Sequence, residues 1–179
     1  MADEAGDRRT LDEVYALVYE ELRRLAATIR RGDGSGTLTL TPTALVNEAW
    51  LKLAHSPRVA QTSRAHFKRI AGRAMRQVLV EAARRRTAGK RAGGAAVVIV
   101  PFDDSTDRPA MQEAHILRLD AALGDLARLS PRQAAVVEGR FFGGLETSEL
   151  ADLLQVSAST IGGDWRLARA WLSAQLREP

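Results

Sequence analysis

The chain has 179 residues, 45% of them hydrophobic, with a formal net charge of +4 and a pI of about 10.1, which is enough apolar material for one ordinary domain or two small ones. Zero cysteines exclude disulfides, thiol catalysis and cysteine metal sites; the histidines His55, His66 and His115 have no ligand spacing, so no metal and no cofactor is expected. There is no apolar run long enough to span a bilayer, and "MADEAGDRRT" has neither the apolar stretch nor the small-residue cleavage site of a secretory signal, so a cytoplasmic protein without membrane contact is expected.

The position of the charge says more than its total. Residues 64–91 hold ten Lys/Arg against one Asp/Glu, a net +9, whereas residues 1–63, 92–110 and 111–179 carry −1, −2 and −2. Nearly all the excess sits in one segment, the footprint expected of a surface that meets an anionic polymer.

In chain order, Leu11, Val14, Tyr15, Val18, Leu22, Leu25 and Ile29 have the three-and-four spacing of an amphipathic helix, which "RRGDGSG" stops. A second helix begins at "TPTALVNEAWLKLA", where Thr41 suits the cap and Pro42 the first helical position, with Leu45, Ala49, Trp50 and Leu53 as its apolar face. "HSPRVAQTS" reads as a loop. From about Arg64 to Arg86 the spacing of Phe67, Ile70, Ala71, Ala74, Met75, Val78 and Ala82 predicts a longer helix, with Arg69, Arg73 and Arg76 on the opposite side. One face is core and the other cationic.

"AAVVIVPFDDSTDRPA" has no helical period and reads as a linker; a short strand at 96–100 is the rival reading, but it would lack a partner. Beyond it, Leu117, Leu119, Leu123, Leu126 and Leu129 predict a helix, Ser130 caps the next one to about Phe142, and "FGGLET" turns the chain. "TSELADLL" is a short helix, "QVS" a turn, and Ser157 caps the last helix. Ala151 and Ile161, ten residues apart, match the small-then-apolar pair of a helix-turn-helix, a pattern that a plain helical hairpin also produces.

Four ordered segments, "TPTALVNEAWLKL", "RAHFKRIAGRAMRQVLVEAARRR", "LSPRQAAVVEGRFFGGL" and "DWRLARAWL", resemble the extracytoplasmic-function (ECF) sigma factors of bacterial RNA polymerase, over about residues 10–176. The resemblance implies an all-α fold of two small helical domains: sigma region two over 1–91, a flexible linker over 92–115, and sigma region four, with its helix-turn-helix, over 116–179. It also implies a non-catalytic subunit whose partners are the RNA polymerase core, through the β′ clamp helices and β flap, and promoter DNA. Region two would bind the clamp and melt the minus-ten element. Region four would hold the flap and read the minus-thirty-five element.

On these grounds the expected DNA contacts are Arg64, Lys68, Arg69, Arg73, Arg76, Arg84, Arg85 and Arg86, continued by Lys90 and Arg91, with Ser159, Thr160, Arg166 and Arg169 in the last helix. Phosphate contacts of this kind give salt-sensitive affinity without sequence information. The loop holding His55, Gln61, Thr62 and Ser63 falls where the family captures an unstacked base. Thr41, Thr43, Leu45, Asn47 and Glu48 fall at the polymerase-binding positions.

The chain departs from the family pattern twice. Several acids that commonly open the clamp-binding helix are replaced here by Thr41, Thr43 and Ala44, leaving Glu48. A phosphoryl group on Thr43 or Thr41 would restore roughly −1.5 to −2 charge at a helix N-terminus, making a Ser/Thr kinase an expected partner; the alternative is that Thr41 only caps and Thr43 is an ordinary first-turn residue. In the last helix, Gly162 and Gly163 stand where the family places a basic residue. A lost minus-thirty-five contact and a helix that brings bare backbone close to DNA are both open, and the net −2 of this half, with Gln155 in place of the usual turn glycine, favours the loss.

Three other classes fit less well. A stand-alone helix-turn-helix regulator needs a positive reading helix and a dimer surface. An enzyme needs a phosphate loop, carboxylate cluster or nucleophile, which are not seen. A purely protein-binding adaptor leaves the +9 segment unexplained.

Overall fold

The computed structural model describes residues 3–30, 40–54, 63–89 and 113–177. All their regular structure is helical: α1 (Asp3–Arg30), α2 (Pro42–Ala54), α3 (Arg64–Gly89), α4 (Glu113–Leu129), α5 (Pro131–Val137), a π-wound turn (Glu138–Phe142), α6 (Thr147–Leu154) and α7 (Ala158–Arg177). The all-α expectation holds, and α1 extends well before Leu11. The expected linker, the rival strand and the 55–62 loop lie outside the described residues.

The starts of the helices reflect local chemistry. Thr41 Oγ1 accepts the Ala44 N–H at 3.1 Å and Ser63 Oγ the His66 N–H at 3.3 Å, capping α2 and α3. Ser157 Oγ likewise accepts the Thr160 N–H at 3.1 Å. Ser130 differs from expectation: it holds the N-cap position of α5, but its hydroxyl makes no capping bond, and Pro131 at the first turn sets the helical φ instead.

The helix expected to run to Phe142 changes winding at Glu138, where the Gly143 N–H donates to the Glu138 carbonyl five residues back, at 3.1 Å. The wider turn rotates the chain beyond it. Phe141 and Phe142, neighbours in sequence, are thereby both buried and meet edge to face at 4.9 Å.

Helices α1, α2 and α3 pack together through Val18, Leu22, Ile29, Leu45, Ala49, Leu53, Phe67, Ala71 and Met75, with Tyr15 stacked on Trp50 at 4.3 Å. Helices α4 to α7 close on Leu119, Leu123, Val136, Val137, Leu150, Ile161, Ala168 and Leu172. Ala151 and Ile161 are both buried where α6 packs on α7, as a helix-turn-helix requires. The two groups also touch each other. Helix α3 packs against α4, α6 and the π-turn, so the buried side chains form one continuous cluster.

That second contact makes α3 apolar over more of its circumference than the sequence period implies: Leu79, Val80 and Ala83 are buried beside the expected stripe. Its tightest point is backbone on backbone. A Cβ added to Gly72 would lie 2.6 Å from the Gly143 nitrogen and 2.6 Å from the Phe142 carbonyl carbon.

In the α6–α7 turn, Gln155 takes a left-handed conformation (φ 52°, ψ 46°) that L side chains adopt at a cost of about 1–2 kcal/mol. Substituting Gln155→Gly removes that strain while adding backbone entropy to the unfolded chain. Urea denaturation should show a gain of about 0.5–1 kcal/mol.

Candidate nucleic-acid interface

The cations of α3 are arranged very unevenly. Arg64 is exposed and ion-paired with Glu21. Lys68, expected to face DNA, is instead 6% exposed, with its Nζ 3.4 Å from Glu21 and 3.3 Å from Glu149. A buried ammonium needs such partners, since leaving it alone in a low-dielectric site is costly. Glu149 is itself held, because a carboxylate oxygen also accepts the Glu146 N–H at 2.8 Å.

Arg76 departs from the expected exposed face in the same way. Its Nε donates to Asp120 at 3.1 Å and its Nη1 to Glu138, leaving the side chain 18% exposed. Arg84, exposed, reaches Asp120 at 3.5 Å. Arg85 is exposed and Arg86 half-buried, while Lys90 and Arg91 lie outside the described residues.

Arg69 and Arg73 remain at the rim of a cleft of about 440 Å³ between α3 and the α4–α5 corner, walled by Leu123, Ala127 and Ala134. Neither forms an ion pair among the described residues, and Arg73 is exposed. Beside them, burial and the Arg69 guanidinium push the His66 pKa below its ordinary value, so His66 adds no charge at neutral pH.

On α2, Thr43, Asn47 and Glu48 are exposed, whereas Leu45 is fully buried in the core. Leu45 therefore supports this surface from beneath and cannot itself reach a partner. Asn47 is fixed by Tyr15, whose hydroxyl donates to Asn47 Oδ1 at 3.0 Å. Burial, with the neighbouring Tyr19, raises the Tyr15 pKa to about 12, which keeps that donor protonated.

At the start of α7 the hydroxyls form a small cluster, Ser157 Oγ lying 2.8 Å from both Ser159 Oγ and Thr160 Oγ1. Ser159 is exposed and Thr160 half-buried. Arg166 is exposed and folds back so that its Nε donates to the Gly162 carbonyl at 3.4 Å; Arg169 is half-buried. Ile161, Trp165, Ala168 and Leu172 face the core, with Leu176 and Trp171 packed at its edge.

A Cβ added to Gly162 or Gly163 would meet nothing within 4 Å, and both lie in regular helix. Packing therefore gives no reason for either glycine.

Several residues that shape this interface are not legible from sequence. Asp164, 5% exposed, takes the Arg132 Nε at 2.6 Å and ties α7 to α5. Asp120, Glu138 and Glu149 meet α3 from a distance in sequence. Gly72, in the middle of a predicted helix where it costs about 1 kcal/mol of propensity, is the one local signal available.

The fold and the charge together define a helical protein with a cationic helix in its first half and a helix-turn-helix in its second, the layout of a DNA-engaging regulator. The ECF sigma factor family model matches residues 2–178, and the chain belongs to that family. No curated protein and no solved structure matches it. It is accordingly a non-enzymatic sigma factor that directs transcription initiation, with the RNA polymerase core and promoter DNA as partners. No helix of the described residues is long and apolar enough to cross a membrane.

Because neither added Cβ meets a neighbour, Gly162→Ala and Gly163→Ala should each stabilise the protein by about 1 kcal/mol, the helix propensity gap between the two residues. Equilibrium unfolding of the single and double variants measures this directly; a loss of stability would mean that the glycine backbone is specially required.

Proposed function

We propose that α3 is the element of this sigma factor that holds the opened promoter, with Arg69 and Arg73 making the first phosphate contacts and Arg64, Arg84, Arg85 and Arg86 extending them. The observation that carries this reading is the pair of arginines standing without ion-pair partners among the described residues at the rim of an open cleft, within a segment of net +9. Residues 1–91 and 116–179 serve as the region-two and region-four modules, with 92–115 as their connector. In α2, the exposed row of Thr43, Asn47 and Glu48 meets the polymerase clamp.

The same row supports a phosphorylation switch. Thr43 is exposed in the first turn of α2, where no acidic side chain is present and the helix dipole favours an anion. Thr41 is the weaker candidate, since its hydroxyl is engaged in capping. For α7, loss of minus-thirty-five contacts is the favoured reading of Gly162 and Gly163, because the residues beside them leave only Arg166 and Arg169 as nearby cations on that helix.

Promoter-specific transcription with core polymerase tests the main claim. Arg69→Ala with Arg73→Ala should cut open-complex formation at least tenfold and flatten its salt dependence by about two phosphate contacts; unchanged strand opening would end the reading. Phosphorylated protein should bind core polymerase more tightly than the unmodified or Thr43→Ala forms, and equal affinity for all three would rule out the switch. Gly162→Lys with Gly163→Arg should raise duplex affinity and steepen its dependence on salt.

A further inference from the structure

Helix α4 carries a glycine, Gly124, in its interior, where that residue weakens a helix relative to any ordinary side chain. Close packing does not ask for it, since a Cβ added there would meet nothing within 4 Å. Gly124 faces open space instead: it lines the cleft of about 440 Å³ between α3 and the α4–α5 corner, a volume within the range of about 300–1,000 Å³ typical of small-molecule sites. A glycine that packing does not need thus keeps one wall of the cleft bare.

The other lining side chains define what the cleft suits. Ile70, Leu123, Ala127, Pro131, Ala134 and Ala135 make its walls aliphatic, and none of the lining side chains is aromatic, so a nucleobase or other flat ring finds no stacking partner there. An alkyl chain, by contrast, gains from leaving water against such walls. Of the three arginines at the cleft, Arg76 is already neutralised by Asp120 and Glu138, which leaves the unmatched charge on Arg69 and Arg73. These two stand four residues apart in α3, on successive turns of one helix face, where their forked donors can converge on a single carboxylate. Glu138, which also lines the cleft, disfavours a second negative group in the same ligand.

We propose that this cleft is a binding site for a fatty-acyl carboxylate, its chain laid along Ile70, Leu123, Ala127 and Ala134 and its head group held by Arg69 and Arg73. Binding is non-covalent and needs both ends of the ligand, the chain for the aliphatic walls and the charge for the rim. An occupied cleft also withholds Arg69 and Arg73 from promoter phosphates. That consequence, unlike the binding itself, rests on the reading of α3 as the DNA-holding helix.

Isothermal titration calorimetry of the full chain with dodecanoate, kept below its micelle-forming concentration, tests the site. Acetate serves as the head group alone, dodecanol as the chain alone and dodecyl phosphate as a more highly charged head. Dodecanoate should bind one to one and about tenfold more tightly than each of the three. In Gly124→Leu the new side chain starts in open space and fills the cleft while favouring the helix. That variant should melt no lower than the wild type by circular dichroism and bind dodecanoate about tenfold more weakly. Arg69→Gln with Arg73→Gln should erase the preference for dodecanoate over dodecanol. Equal affinity of wild type and Gly124→Leu, uptake of several dodecanoates with no one-to-one step, or equal binding of dodecanol by the wild type would each overturn the proposal, and tighter binding of dodecyl phosphate would overturn the carboxylate assignment.

Promoter opening by the holoenzyme, measured with and without dodecanoate, separates this site from the DNA role of α3. Loss of opening in the wild type but not in Gly124→Leu supports both, whereas equal loss in the two removes the competition. Confirmed binding with unchanged opening leaves the site standing and counts against Arg69 and Arg73 as phosphate contacts. Absence of binding overturns the site and leaves that role untouched.

Discussion

Helix α3 lies against two sets of helices at once, and its contact with the second set depends on two glycines meeting without side chains between them. With Gly72 on one side and Gly143 on the other, the α3 backbone comes close enough to the π-turn for Phe142 and the carboxylate of Glu138 to reach it. Interiors packed at such density do not absorb an extra methyl group by small adjustments. The whole relation between the two halves is therefore concentrated in a few atoms.

The electrostatics depend on that geometry. Eight of the ten cations in residues 64–91 are on described side chains, and Arg64, Lys68, Arg76 and Arg84 among them are matched with acids. A segment that is strongly basic in sequence is thus partly neutralised in space. Surface pairs such as Arg64–Glu21 contribute little to stability, but Lys68 is only 6% exposed, and removing a partner there leaves an uncompensated charge. The same acids that make the close packing tolerable also reduce the positive charge that α3 leaves exposed.

The second half shows a different balance. Its helix-turn-helix is well built: Ser157 caps α7, Ile161 and Ala151 close the crossing, and the Asp164–Arg132 pair braces the far side. Yet the surface where such a helix meets a duplex carries glycines whose Cβ positions are open space. The scaffold of the helix-turn-helix is thus complete while the exposed side of its last helix is bare at these two positions.

The helices were legible in the chain because capping chemistry and three-and-four periodicity are local: Thr41 and Ser157 cap as read, though Ser130 does not, and the stripes on α1, α2 and α3 are buried much as their spacing implies. The net +9 of residues 64–91 pointed to an anionic polymer as partner, and the order of the four motifs carried the resemblance to the sigma family. What the linear reading could not supply was which cations stay available, because Asp120, Glu138 and Glu149 approach Lys68 and Arg76 across 44 to 81 positions of chain. Nor could periodicity show the second buried side of α3 or the π-winding before Gly143. Local propensity is set by neighbours in sequence, whereas the pairing of charges and the meeting of Gly72 with Gly143 exist only once distant helices have packed.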